Sequence, residues 1–171
     1  MTRALMHFKL TSERLILMPL DVENLYHYVY DYGEVQRNLE VKVTMPEQDP
    51  EVKYVFMDAH YQAMSDPDQI LWFTSWEMIE PQLNEIIGGV CFKGPPDETN
   101  AVEIGYAVEP PYWGLGYATE AVAAMVAWAK QTGAGTIKAS TEKDNVASQK
   151  VLLKNGFRQV SETETLLWWH F

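Results

Sequence analysis

The stretch EIGYAVEPPYWGLGYATEA, Glu103 to Ala121, changes its periodicity partway along, and that change restricts the folds open to the chain. Glu103–Val108 alternates as a strand does, and Pro110 and Pro111 end it. Gly114 and Gly116 then lead straight into Ala118, Ala121, Val122, Met125, Val126 and Ala129, the spacing of one helix face, which Gly133 terminates. Glycine inside an element costs roughly 0.5–1 kcal/mol relative to alanine, so two at a helix entrance suggest that something approaches the backbone closely there. The first N–H groups of that helix are unpaired, and the helix dipole adds partial positive charge, so the turn suits a phosphate or pyrophosphate. It is not a P-loop, because no Lys-Ser or Lys-Thr follows the second glycine, and it lacks the third glycine of the dinucleotide fingerprint. A tight strand-to-helix connection without a ligand is the alternative.

The neighbouring segments supply the rest of a fold. Arg14–Met18 is a short apolar strand ended by Pro19, and Asp21 is placed to cap a helix over Val22–Tyr32. A second helix runs from Asp49 or Pro50 to Met64, with Val52, Val55, Phe56, Ala59 and Ala63 as its apolar positions. Strands over Ile70–Ile79, Glu85–Phe92 and Ala101–Val108, separated by short turn clusters, predict an antiparallel meander, which argues against a Rossmann unit. After Gly133 come a strand over Thr136–Ser140, a helix over Val146–Asn155 closed by Gly156, and strands over Phe157–Glu164 and Leu166–Phe171. This order predicts an α+β domain on one mixed, mostly antiparallel sheet. With 171 residues and no repeat or linker-like tract, residues 1–171 read as a single domain.

The net charge of −11 argues against nucleic acid as a partner, because phosphate binding needs a basic footprint. Residues 130–158 depart from the average, with Lys130, Lys138, Lys143, Lys150, Lys154 and Arg158 against Glu142 and Asp144. A small basic patch on an acidic protein suits a compact anion, whereas the acidic remainder suits a cationic partner; scattered surface charge is the alternative for both. Cys91, the only cysteine, sits in the apolar run IIGGVCF and reads as an inert core residue. His7, His27, His60 and His170 lack metal-ligand spacing, so no metal is expected. There is no secretory apolar region and no run long enough to span a bilayer, so the expectation is a cytoplasmic protein without a membrane partner. Tyr26, His27, Tyr28, Tyr30 and Tyr32 crowd the first helix, where they either pack or line a pocket.

Four segments, LTSERLILMPL, IIGGVCFKG, YWGLGYATEA and NVASQKVLLKNGF, resemble at the expected spacing the GNAT acyltransferases, and most of all the group that acetylates the N-termini of ribosomal proteins. The glycine turn is similar to the family pattern Gln/Arg-x-x-Gly-x-Gly/Ala, with Trp113 in the first place. The resemblance implies a sheet with splayed central strands, helices on both faces, and acetyl transfer from acetyl-CoA to a primary amine by direct attack in a ternary complex. It implies that Trp113, Gly114, Leu115, Gly116, Tyr117, Ala118 and Thr119 hold the CoA pyrophosphate, while Ala107 and Val108 pair with the pantetheine arm. Asn145 would lie beside the pantetheine, and Ser148 would protonate or hydrogen-bond the leaving thiolate; an ordinary helix cap and first-turn serine are the alternative. Many members carry a tyrosine as acid where this chain has Leu152, so tyrosine is not the acid at that position.

Glu103 lies in an apolar strand where an unpartnered carboxylate is costly, so burial is expected to raise its pKa; the resemblance, in which some relatives use a glutamate at this strand position as base, implies that it is the leading candidate for the base, directly or through water. A strand-edge glutamate facing solvent or an ion pair is the alternative. The acceptor would be a protein N-terminus or a small amine such as a polyamine, an amino acid or an aminoglycoside. Residues 1–69 carry twelve acidic and six basic residues, which favours a cationic acceptor. A homodimer stays open as a partner state. The rival reading is a CoA-binding sensor or scaffold that keeps the fold without turnover.

Overall fold

Alternation of side chains in the middle of the chain builds the centre of the sheet. A computed structural model describes residues 8–45 and 47–171. Strand β1 spans Leu10–Thr11, β2 Ile16–Pro19, β3 Trp76–Glu80, β4 Glu85–Phe92, β5 Ala101–Val108, β6 Thr136–Glu142, β7 Arg158–Glu162 and β8 Leu166–His170. They form one sheet in the order β1-β2-β3-β4-β5-β6-β8-β7. Every neighbouring pair is antiparallel except β5 with β6. The sheet is therefore mixed and mostly antiparallel, as the sequence predicts.

Helices cover both faces. On one face, helix α1 (Val22–Tyr30), α2 (Tyr32–Asn38) and α3 (Pro50–Ser65) bury Leu25, Tyr28, Val35, Phe56 and Ala63 with Ile79 and Ile86. On the other, α4 (Tyr117–Gln131) and α5 (Val146–Lys154) bury Ala121, Val122, Met125, Trp128 and Leu152 against Trp76, Val90, Phe92, Val102 and Ile104. Burying one such side chain contributes roughly 1.5–3 kcal/mol, so the two clusters supply most of the driving force.

Several local details depart from expectation, among them β2, which begins at Ile16 and includes Pro19. The first helix divides at Asp31, whose φ of −155° leaves the helical region and whose carboxylate accepts from the Glu34 N–H at 3.2 Å, capping α2. The strand expected from Ile70 begins only at Trp76; Pro67–Trp72 forms a 3₁₀ turn instead, with Pro67 at its first position and the Trp76 indole N–H donating to the Leu71 carbonyl at 3.1 Å. Val55, expected on the apolar face of α3, is 62% exposed, while Phe56, Ala59 and Ala63 carry the contact. Elsewhere Asp21 caps α1 and Asp49 caps α3.

Candidate active site

Strands β5 and β6 pair in parallel over three residues and then part. Ala101, Val102 and Glu103 lie opposite Thr136, Ile137 and Lys138, yet β5 continues to Val108 and β6 to Glu142. Beyond Glu103 the two strands make a fork, closed on its outer sides by β4 and β8. Backbone alternation decides which groups face the gap. Lys93 N–H bonds to the Glu103 carbonyl and Glu109 N–H to the Ile87 carbonyl, so Gly105 and Ala107 direct their backbone groups to β4, and Tyr106 and Val108 direct theirs into the fork. Of the expected pantetheine pair, Val108 is on the open edge and Ala107 faces β4. The Val108 carbonyl accepts from the Trp113 indole N–H.

The mouth of the fork receives two helix N-termini, α4 after β5 and α5 after β6. Gly114 and Gly116 have φ of 74° and 87°, a left-handed conformation that costs other residues about 1–2 kcal/mol. A Cβ on Gly114 would meet nothing within 4 Å, so conformation and not crowding requires glycine there. Gly116 is the N-cap of α4 and provides no side-chain hydrogen bond, which leaves the first-turn N–H groups of Tyr117, Ala118 and Thr119 free of a capping side chain. Trp113 and Leu115 are exposed, at 67% and 55%. An uncapped helix start at the end of a fork fits a phosphate-bearing, amide-rich ligand such as CoA.

Across the fork, Asn145 caps α5 by accepting from the Ser148 N–H at 3.0 Å. The Ser148 hydroxyl is 2.8 Å from the Tyr106 hydroxyl, which also donates to the Ser148 carbonyl at 3.2 Å. Burial raises the pKa of Tyr106, partly offset by its bond to Ser148, so the phenol stays protonated at neutral pH. Leu152, one turn on, is wholly buried in the core and offers no proton.

Residues 14–158 match the family model for a GNAT acetyltransferase domain. The chain belongs to the GNAT acetyltransferase family. The uncharacterized N-acetyltransferase YjdG of Bacillus subtilis is 40% identical over 86 residues, which are 50% of this chain and 51% of that protein; the match thus spans about half the length of this curated relative. Among solved structures, the ribosomal-protein-S5-alanine acetyltransferase from Vibrio fischeri superposes with a TM-score of 0.71 at 17% identity, covering 96% of each chain. The ribosomal L7/L12 alpha-N-protein acetyltransferase RimL in complex with coenzyme A does so with a TM-score of 0.67 at 15% identity, covering 96% of this chain and 97% of that one. These likenesses show the GNAT fold.

In this GNAT chain Glu103 stands at the crotch of the fork but is not the unpartnered carboxylate expected from its apolar neighbours. It is paired with Lys93 and accepts from the Ser140 hydroxyl at 3.3 Å, with its side chain 22% exposed. The lysine ten residues earlier sits across the β4–β5 turn and supplies the counter-charge. Cys91 conforms to the inert reading: burial pushes its thiol up to about 11. Of the basic residues in 130–158, Lys138 pairs with Asp97 and Lys143 with Glu162, and Lys130 donates to the Gly135 carbonyl. Among the described residues, Lys150, Lys154 and Arg158 form no salt bridge. His7 lies outside the described residues, and among those described no three metal-binding side chains converge. Nor is any described helix long and apolar enough to cross a membrane.

Two participants are invisible in the local sequence. Tyr106 reaches Ser148 only because β5 runs beside the start of α5. Arg14, on the far side of the glycine turn, donates from Nε to Glu120 at 2.8 Å and from a terminal nitrogen to the Leu115 carbonyl at 3.0 Å, and lies over the Tyr117 ring at 4.4 Å. Burial pushes the Glu120 carboxyl up, but bonds from Ser12 and from the Arg14 backbone and side chain outweigh it and hold the group below its ordinary value. Arg14 thus neutralises the one carboxylate in the first turn of α4 and braces the loop from outside.

Proposed function

We propose that this chain is an acetyl-CoA-dependent N-acetyltransferase, working as one domain over residues 1–171, that moves an acetyl group from the cofactor's sulfur to a primary amine in a ternary complex. The observation that carries this reading is the fork itself, with the uncapped α4 N-terminus at its mouth and the Tyr106–Ser148 pair bridging it. Backbone N–H groups of Trp113–Thr119 would hold the pyrophosphate, and the open-edge groups of Tyr106 and Val108 would pair with the pantetheine amides. Asn145 fixes the start of α5 so that Ser148 is held against Tyr106. When bound, acetyl-CoA supplies the activated acetyl thioester. The Tyr106–Ser148 pair can donate a hydrogen bond or a proton to a developing thiolate, a modest contribution because a thiol near pKa 8.5 already leaves readily.

An amine that is an ammonium ion at neutral pH must also lose a proton before it can attack. Two carboxylates on the sheet face toward α1–α3 compete for that role, Glu103 at the crotch and Glu77 farther along. The acceptor is proposed to be cationic, a protein N-terminus or a polyamine-like or aminoglycoside-like amine, in keeping with the acidic balance of residues 1–69. The neighbours named for acetylating ribosomal proteins support the first of these choices.

The test is thiol release from acetyl-CoA with a panel of spermidine, kanamycin and a tetrapeptide beginning with alanine. Turnover with any of them supports the enzyme reading. Tight CoA binding with no thiol release from any amine would instead favour the sensor or scaffold.

A further inference from the structure

On the sheet face that looks toward α1–α3, paired positions of β4 and β5 run Lys93 with Glu103, Cys91 with Gly105, and Gly89 with Ala107. Gly89, Gly105 and Ala107 carry a methyl group at most, and all three are at least partly exposed, so a sparse floor leads along this face away from the crotch. At its far end, Glu77 of β3 lies directly opposite Gly89. The residue is only 1% exposed, and its carboxylate accepts from the Tyr32 hydroxyl at 2.6 Å and from the Ser75 hydroxyl.

Gly89 is the cover between this carboxylate and the floor. A Cβ at Gly89 would lie 3.2 Å from Ser75 Oγ and 3.7 Å from Glu77 Oε1, with no other side chain so close. Because Gly89 has no side chain, none from that position separates the buried acid from the floor. Resting on the acetyl-transfer reading above, we propose that Glu77 takes the proton from the acceptor's ammonium, reached across Gly89 directly or through one water. In that step the ammonium N–H bond breaks, its electron pair stays on nitrogen as the attacking lone pair, and the carboxylate becomes a neutral acid. The proton leaves to solvent after the product departs.

The surroundings suit this task. Facing Glu77 are Ser75 just before its strand, Tyr28 and Tyr32 from α1 and α2, Cys91 from β4, and Glu109 just past β5. No cation is among them. Burial raises the proton affinity foremost, the bonds from Ser75 and Tyr32 lower it, and the Glu109 charge raises it again, leaving the group at about 7. A base poised near the working pH is the efficient one. Glu103, by contrast, already faces Lys93. A purely structural role at position 77 would be met as well by glutamine, which can accept from Tyr32 and donate to Ser75.

The experiment follows kcat/KM of the best amine of the panel from pH 5.5 to 8.5 at saturating acetyl-CoA. For wild type, an acidic limb near pH 7 is expected. Glu77→Gln should lose that limb and fall by about 10²-fold at pH 8, with CoA affinity unchanged, whereas Glu103→Gln should keep it. An intact limb in Glu77→Gln, or its loss in Glu103→Gln instead, overturns the proposal. If Glu77→Gln fails to fold, Gly89→Ala covers the same carboxylate and should cut amine kcat/KM while CoA still binds; wild-type rates in that variant also overturn it. A wild type that binds CoA but acetylates nothing removes the parent reading and this one together, while an active enzyme with an unmoved limb removes this one alone.

Discussion

Replacing Glu77 with glutamine should make the protein more stable, and by an amount that depends on pH in a defined way. The carboxyl is held at about 7 in the folded chain against an ordinary 4.5. Below pH 4.5 the group is protonated whether folded or unfolded, and it costs nothing. Between 4.5 and 7 the unfolded chain releases the proton and the folded chain keeps it, so wild-type stability falls as pH rises through this window and levels off above it. Each tenfold change in proton affinity is worth about 1.4 kcal/mol, which makes the full cost ~3 kcal/mol at pH 8.5 and about 1.4 kcal/mol at pH 5.5. Glutamine keeps the shape and the bonds to Ser75 and Tyr32 without a titrating charge. Urea unfolding should therefore place the Glu77→Gln midpoint higher than wild type by ~1.5 M at pH 8.5 and by roughly half that at pH 5.5, taking a slope of about 2 kcal/mol per molar. Equal midpoints at pH 8.5, or a gap that does not change with pH, would refute the claim that Glu77 is a buried, ionising acid. A variant that gains stability and loses turnover would show a residue retained for chemistry at a cost to the fold.

Ser148→Ala and Tyr106→Phe should each lower kcat about tenfold, the worth of one hydrogen bond near 1.4 kcal/mol, and the double variant should be little worse than either because the hydroxyls act as one unit; steady-state kinetics measures both. Arg14→Gln releases the Glu120 carboxylate beside the α4 N-terminus, and CoA affinity by calorimetry should weaken about fivefold, ~1 kcal/mol, with the deficit shrinking as salt screens the freed charge. Gly88→Ala places a Cβ 2.3 Å from the Ala107 carbonyl oxygen, which backbone cannot easily yield; stability in urea should drop by about 1–3 kcal/mol, and an unchanged midpoint would show that β4 and β5 are looser than their register implies.

Local pattern was enough for much of this protein. Glu85–Phe92 and Ala101–Val108 coincide with β4 and β5, Asp21 caps the helix it was expected to cap, and the two glycines mark the turn between strand and α4. Periodicity, caps and left-handed turn positions act over a few residues, so the chain states them directly. The expectation failed where a local rule met a competing one, as at Ile70, where Pro67 draws the chain into a 3₁₀ turn before the strand can begin.

What tertiary structure alone decided is which side chains share a site. Tyr106 and Ser148 are 42 positions apart, Glu77 and Tyr32 are 45, and Arg14 and Glu120 are 106. Each pair meets because the sheet and the helices packed on it bring distant segments together, a consequence of the whole fold that no short stretch encodes. The same fold gave Glu103 a lysine and left Glu77 as the buried acid beside a bare glycine.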